Sequence, residues 1–267
     1  MSTIWKRAIA ATTIALVAGF GITACSTGDN TKPESSKGSA SQQPEGKKDD
    51  GGGALTADNF VQRITDAQQK AGTAEISQSM TVQGQTVATT GQMKIDKDPK
   101  KIAMSMTSKM PDGNQMEIRI VDGVTYMNLG AMTDNKFAKL DGAGSQLEKQ
   151  LGTSQADVTA QLGAFKTALV DFKQDGSEKL DGVDAARYVL TLDTAKLFKA
   201  MGNEVPAESK LGKTINYEMF IGPDDLVRRY KMDVAGTPVQ VDYSKWGEPL
   251  DIVAPTADQL TDKKLPF

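Results

Sequence analysis

The sequence predicts an α+β fold: one antiparallel sheet of about ten strands with a few helices beside it. Three observations carry this. The apolar spacing changes from about 3.6 residues to about 2 after Gly72. The alternating segments that follow are separated by Gly, Pro, Asn and Asp turn signals. The helical segments are few and do not alternate with the strands, which argues against βαβ units.

Folded structure is expected from Leu55. Phe60, Ile64, Ala67 and Ala71 mark one face of a helix, with Thr56 as its N-cap and Gly72 as its stop. Ile76, Met80 and Val82 then share one strand face, with Glu75, Ser77, Ser79 and Thr81 on the other. Gly84-Gln85 reads as a turn, Val87 to Ile95 as the returning strand, and Asp98-Pro99 as its end. Ile102, Met104 and Met106 alternate with Ala103, Ser105 and Thr107. Pro111 to Asn114 is a turn, after which Met116, Ile118 and Ile120 alternate with Glu117 and Arg119. Asp122-Gly123 is a hairpin turn leading into Val124 to Leu129. Such a meander has one apolar and one polar face.

The middle of the chain reads as helical. A short helix is expected over Ser145 to Leu151. Ser154 and Asp157 look like the cap of a second, with Val158, Leu162, Phe165 and Leu169 on its stripe. Strands return after Asp171, with turns at Asp175-Gly176 and Asp181-Gly182. Ala186 to Leu192 is a strand and Thr194 to Met201 a short helix. Ile215 to Ile221, Leu226 to Val234 and Val239 to Tyr243 complete the sheet.

Ahead of this domain the chain is of two other kinds. Lys6 and Arg7 precede an uncharged run, Ala8 to Gly21, that falls short of the ~20 residues needed to cross a bilayer. It reads as an export leader. Ile22-Thr23-Ala24-Cys25 then resembles a bacterial lipobox, which implies cleavage before Cys25 and a diacylglycerol or acyl anchor on its thiol. Cys25 is the sole cysteine, which fits that use better than an unpaired thiol in an exported chain. Ser26 to Gly53 holds no Val, Ile, Leu, Met or aromatic residue. A segment of this kind cannot repay its ordering entropy, and as a coil it spans roughly 30 Å. The expected organisation is a leader at 1–24, a lipidated cysteine and polar tether at 25–54, and one domain at 55–267.

Composition excludes several functions. The net charge is −3 and no dense basic run is present, so nucleic acid is not an expected partner. There is no histidine, which removes the usual general base, the Ser-His-Asp and Cys-His arrangements and the commonest metal ligand. No Gly-x-Ser-x-Gly elbow and no Ser-x-x-Lys occurs. Gly212-Lys213-Thr214 lacks the first glycine of a phosphate loop, because Ala207 stands there. Asp96-Lys97-Asp98 and Asp224-Asp225 lack the glycine and closing glutamate of an EF-hand, so they read as turns. No pair of carboxylates stands out for glycoside hydrolysis. Neither enzyme activity, a cofactor nor a metal is expected.

The segment Tyr243-Ser244-Lys245-Trp246-Gly247-Glu248-Pro249-Leu250-Asp251-Ile252, followed by Ala254-Pro255, resembles the C-terminus of the actinobacterial LppX/LprG-type lipoprotein family. The order of lipobox, tether, helix, strand meander, helices and strands resembles that family over about Leu55 to Pro255. The resemblance implies a LolA-like fold, in which a strongly curved antiparallel sheet forms a half-barrel with helices over its concave side. It also implies an acylated lipid or glycolipid held in the cavity between them. The sequence adds a chemical reason. It has twelve methionines against eight phenylalanines and two tryptophans. Methionine is unbranched and polarisable, and it suits an adaptable apolar lining. The expected lining is Met80, Met104, Met106 and Met116, with Ile118 and Ile120 beside them and Met219 and Met232 from the later strands. The same residues could instead pack a closed core. The expectation is a monomer on the outer face of the cytoplasmic membrane that binds or carries such a lipid. The alternative is a surface lipoprotein that serves as an interaction or sensor module without a lipid ligand.

Overall fold

The computed structural model describes residues 53–82, 85–98, 101–110, 113–140, 158–205, 211–234, 236–263 and 265. The expected leader, Cys25 and nearly all of the tether lie outside these residues. So do the helix expected at Ser145 to Leu151 and the cap expected at Ser154 and Asp157.

Helix α1 is Phe60–Ala71. Thr56 does not cap it directly: Thr56 and Asn59 exchange side chain–backbone hydrogen bonds in a turn, and Asn59 is the N-cap. Its end is as expected. Gly72 takes φ 76°, a left-handed conformation cheap only for glycine, and donates its N–H to the Gln68 carbonyl. The chain passes directly into β1, Thr73–Val82, and the meander β2 (Gln85–Lys94), β3 (Ala103–Lys109), β4 (Gln115–Val121), β5 (Val124–Asn128) and β6 (Phe137–Leu140). Helix α2, Val158–Ala168, leads into β7 (Leu169–Leu180) and β8 (Val183–Asp193). Helix α3, Thr194–Ala200, is capped by Asp193, whose carboxylate accepts from the Lys196 N–H. Strands β9 (Thr214–Ile221), β10 (Val227–Val234) and β11 (Thr237–Ser244) follow, and β12 is Leu260–Thr261. Among the described residues no helix is long and apolar enough to cross a membrane.

All the described strands form one open, curved sheet in the order β12-β6-β5-β4-β3-β2-β1-β11-β10-β9-β8-β7. Its neighbours are antiparallel except β12 on β6. The first and last long strands, β1 and β11, pair at the centre and join the two meanders. The sheet has twelve strands rather than about ten. The two missed in the sequence, β6 and β12, are four and two residues long, too short to show alternation. Two further expectations need correction. Asp175-Gly176 is not a hairpin turn; it lies in a register shift between Gln174 and Ser177 within the continuous strand β7. Leu169 is not the last residue of a helical stripe but the first of β7. The Asp122-Gly123 and Asp181-Gly182 hairpins do form, with all four residues at positive φ.

Among the described residues the core consists of one large cluster beneath the helices and four smaller ones. Phe60 and Ile64 of α1 meet Leu162 and Phe165 of α2, Leu197 and Phe198 of α3, and the inward side chains of β8, β9 and β10. The Phe60 ring stacks on Phe172 at 4.9 Å, and Phe165 sits 4.7 Å from Tyr217. A separate cluster on β3, β4 and β5 is built from Met104, Ile118, Ile120 and Met127, and no residue of the three helices belongs to it. The described helices therefore cover one half of the concave face, not all of it.

Candidate functional site

Directly paired residues on antiparallel strands point to the same side of a sheet, so the register identifies each face. Ala74 pairs with Met93, Met93 with Met104, and Met104 with Ile120. The next row on the same face runs Tyr243, Ile76, Gly91, Met106, Ile118, Met127. A further row joins Met219, Tyr230 and Val241 to Gln78, Thr89, Ser108 and Met116. Beyond it, Met232 pairs with Val239, Val239 with Met80, and Met80 with Val87. The register thus brings all eight residues singled out in the sequence onto one face. The opposite face is ionic: Arg187 pairs with Glu218, and Arg229 bridges Glu178 and Asp242.

Burial separates the eight. Met219 is 0% exposed and belongs to the packed core beneath the helices. Met104, Ile118, Ile120 and Met80 are buried, at 8% or less. Met106, Met116 and Met232 are half-buried, as are Ile76, Val87 and Gly91 around them. Gly91 has a specific steric role. A Cβ there would stand 2.4 Å from both the Met106 Sδ and the Ser105 carbonyl oxygen. The absent side chain lets β2 and β3 approach and lets Met106 lie across the strand.

Two surface hollows lie elsewhere, and none of the eight residues lines either. One, of about 300 Å³, is formed by Leu211, Gly212 and Thr214 with Asp233 and Gly236. The other, of about 460 Å³, lies where the domain begins. There Leu55 is buried and donates its N–H to the Tyr188 hydroxyl at 3.2 Å. Arg63 makes a two-point ion pair with Asp225 at 2.9 and 2.7 Å and also holds the Gly53 carbonyl at 2.7 Å. These contacts clamp the point at which the preceding polar segment enters the domain.

Three tyrosines belong to or pack against the helix-covered core. Burial pushes the phenols of Tyr217 and Tyr230 well above their usual value, and for Tyr230 the neighbouring Tyr243 and Tyr217 add to the effect. Tyr243 stacks on Trp246 at 5.7 Å, and the Trp246 Nε1–H donates to the Val227 carbonyl at 2.9 Å. Gly247 N–H reaches the Thr73 carbonyl and the Thr73 hydroxyl donates to Glu248. The terminal motif thus folds back over the start of β1 and has a packing role.

Sequence reasoning passed over Gln78, Thr89 and Ser108. Each breaks an apolar series at the concave parity of its own strand. The signal was present one strand at a time, but the register that aligns the three was not.

Several solved structures share this fold, two lipoproteins among them. Over 74% of this chain and 98% of its own, lipoprotein LppX of Mycobacterium tuberculosis superposes with a TM-score of 0.52 at 16% identity. LprF of Mycobacterium bovis superposes over 75% of this chain and 97% of its own, with a TM-score of 0.51 at 16% identity. Curated protein sequences give no match. A family model, described as a family of unknown function (DUF7537), matches residues 9–240.

Proposed function

The chain belongs to DUF7537, a family of unknown function, and from that premise and its fold we propose that it is a lipid-anchored extracytoplasmic protein that binds an acylated lipid or glycolipid. The anchor is Cys25, and Ser26 to Gly53 is the tether. The ligand's acyl chains lie on the concave face of β1 to β4. Met106 and Met116 stand at the open part of that face and Met80, Met104, Ile118 and Ile120 beneath, with Met232 continuing the lining onto β10. Met219 serves the sealed core instead. The protein is a binder or carrier, not a catalyst.

One observation carries the reading. The apolar side of a single sheet is sealed by helices over β8 to β10, whereas in its continuation over β1 to β4 Met80, Met93, Met104, Ile118 and Ile120 are buried but Ile76, Val87, Met106 and Met116 are half-buried. The paired concave positions of β1 to β5 and β11 hold no charged side chain. Covering such a surface with hydrocarbon gains about 0.8 kcal/mol for each CH₂ removed from water. Methionine side chains adjust to chains of different shape. The likeness to the lipoprotein LppX supports the same reading at the level of fold.

The test is native mass spectrometry of the full chain extracted gently from membranes. The expected result is a non-covalent acyl-lipid adduct, retained by the wild type and lost in Met106→Asp and Met116→Asp variants with unchanged circular dichroism. A wild-type protein free of lipid, and unable to take up an acyl probe, would overturn the proposal. A stoichiometric protein partner in its place would support the interaction-module reading.

A further inference from the structure

The concave series of β1 runs Ala74, Ile76, Gln78, Met80; that of β2 runs Val87, Thr89, Gly91, Met93; that of β3 runs Met104, Met106, Ser108. Apart from the exposed Gln85 at the start of β2, each contains one polar residue. The register pairs Gln78 with Thr89 and Thr89 with Ser108, so the three lie side by side in one row across three strands. Adjacent strands are about 4.8 Å apart, which makes the row roughly 10 Å long. Apolar rows flank it on both sides: Met80 and Val87 on one, Ile76 and Met106 on the other.

All three are half-buried. The Thr89 and Ser108 hydroxyls share one hydrogen bond at 2.8 Å. The Gln78 amide makes no side-chain hydrogen bond among the described residues, so its carbonyl and both N–H groups remain available. A ligand lying over this row would shut it away from water, and a polar group buried without a partner costs free energy. A ligand that covers the row therefore binds best if it brings polar groups of its own to meet these three. Its charge is constrained. The nearest paired concave positions hold only neutral residues, and Arg119, Arg187, Arg229 and Lys231 sit on the other face. An anionic headgroup placed on the row would lose hydration with no cation at the paired concave positions of β1 to β5 and β11 to compensate. An ester carbonyl or a sugar hydroxyl matches the donors and acceptors without that cost.

On the lipid-binding reading above, we infer that Gln78, Thr89 and Ser108 form the polar subsite of the concave face, and that it selects neutral, ester- or hydroxyl-bearing lipids over anionic ones.

The experiment compares three probes on the full chain by competition against a fluorescent acyl lipid: dioleoylglycerol, dioleoyl phosphatidic acid with the same tails, and a plain alkane. The wild type is expected to favour dioleoylglycerol over phosphatidic acid by about tenfold or more. Gln78→Leu, and Ser108→Ala separately, are expected to lose about tenfold toward dioleoylglycerol while alkane binding is unchanged. If both variants bind dioleoylglycerol as tightly as the wild type, or phosphatidic acid is preferred, the subsite is wrong and lipid binding stands. If no probe binds the wild type, both fall.

Discussion

A methyl group added at Gly91 would meet the Ser105 backbone, which cannot swing aside as a flexible side chain can. Gly91→Ala is expected to cost about 1–3 kcal/mol through overpacking and forced separation of β2 and β3. Gly163, inside α2, has open space where its Cβ would go and no positive φ. Gly163→Ala is expected to gain about 0.5–1 kcal/mol from helix propensity. Urea denaturation of the two variants checks both signs. Two stabilised variants would mean that the β2–β3 approach does not depend on the missing side chain.

At the scale of the strand, β9 and β10 carry tyrosines whose hydroxyls are shut away from water. In the unfolded chain these phenols titrate near their usual 10.0, while burial holds both folded values higher. Above pH 10 the unfolded state therefore loses protons that the folded state keeps. Stability is fully present below pH 10 and falls as the pH rises further, by up to about 1.4 kcal/mol per pH unit for each tyrosine. The expected observation is alkaline unfolding in which the ultraviolet tyrosinate signal of Tyr217 and Tyr230 appears together with loss of circular dichroism. Tyr217→Phe should flatten the slope above pH 10. A tyrosinate signal from all five tyrosines in the still-folded protein would contradict the burial. The edge strand β7 shows a different device: Lys173, Asp175, Glu178 and Lys179 and two register shifts interrupt it. These discourage edge-to-edge pairing with a second copy.

Across the whole molecule, the sheet is continuous but its burial is not. Leu190, Leu192 and Met219 on β8 and β9 are 0% exposed beneath the helices, whereas Met106 and Met116 on β3 and β4 are half-buried. Local opening follows the density of buried apolar contacts. Hydrogen exchange on the full chain should show β3 and β4 amides at least about tenfold less protected than those of β8 and β9. Added acyl lipid should raise protection selectively in β1 to β4. Equal protection in both halves would mean that the second half is as firmly packed as the first.

Local chemistry determined much of this in advance. The helix stop at Gly72, the Asp122-Gly123 and Asp181-Gly182 hairpins and the apolar face of the first meander all follow from residues a few positions apart. The eight apolar residues could be chosen for the same reason, because alternation assigns a face within each strand. Tertiary structure decided what depends on strands distant in the sequence. It paired β1 with β11, turned the Asp175-Gly176 signal into a bulge, and sealed Met219 while leaving Met106 half-open. It also set Gln78, Thr89 and Ser108 in one row. Register is a property of pairs of strands, and burial depends on which element lands on top; neither is written in the periodicity of one segment.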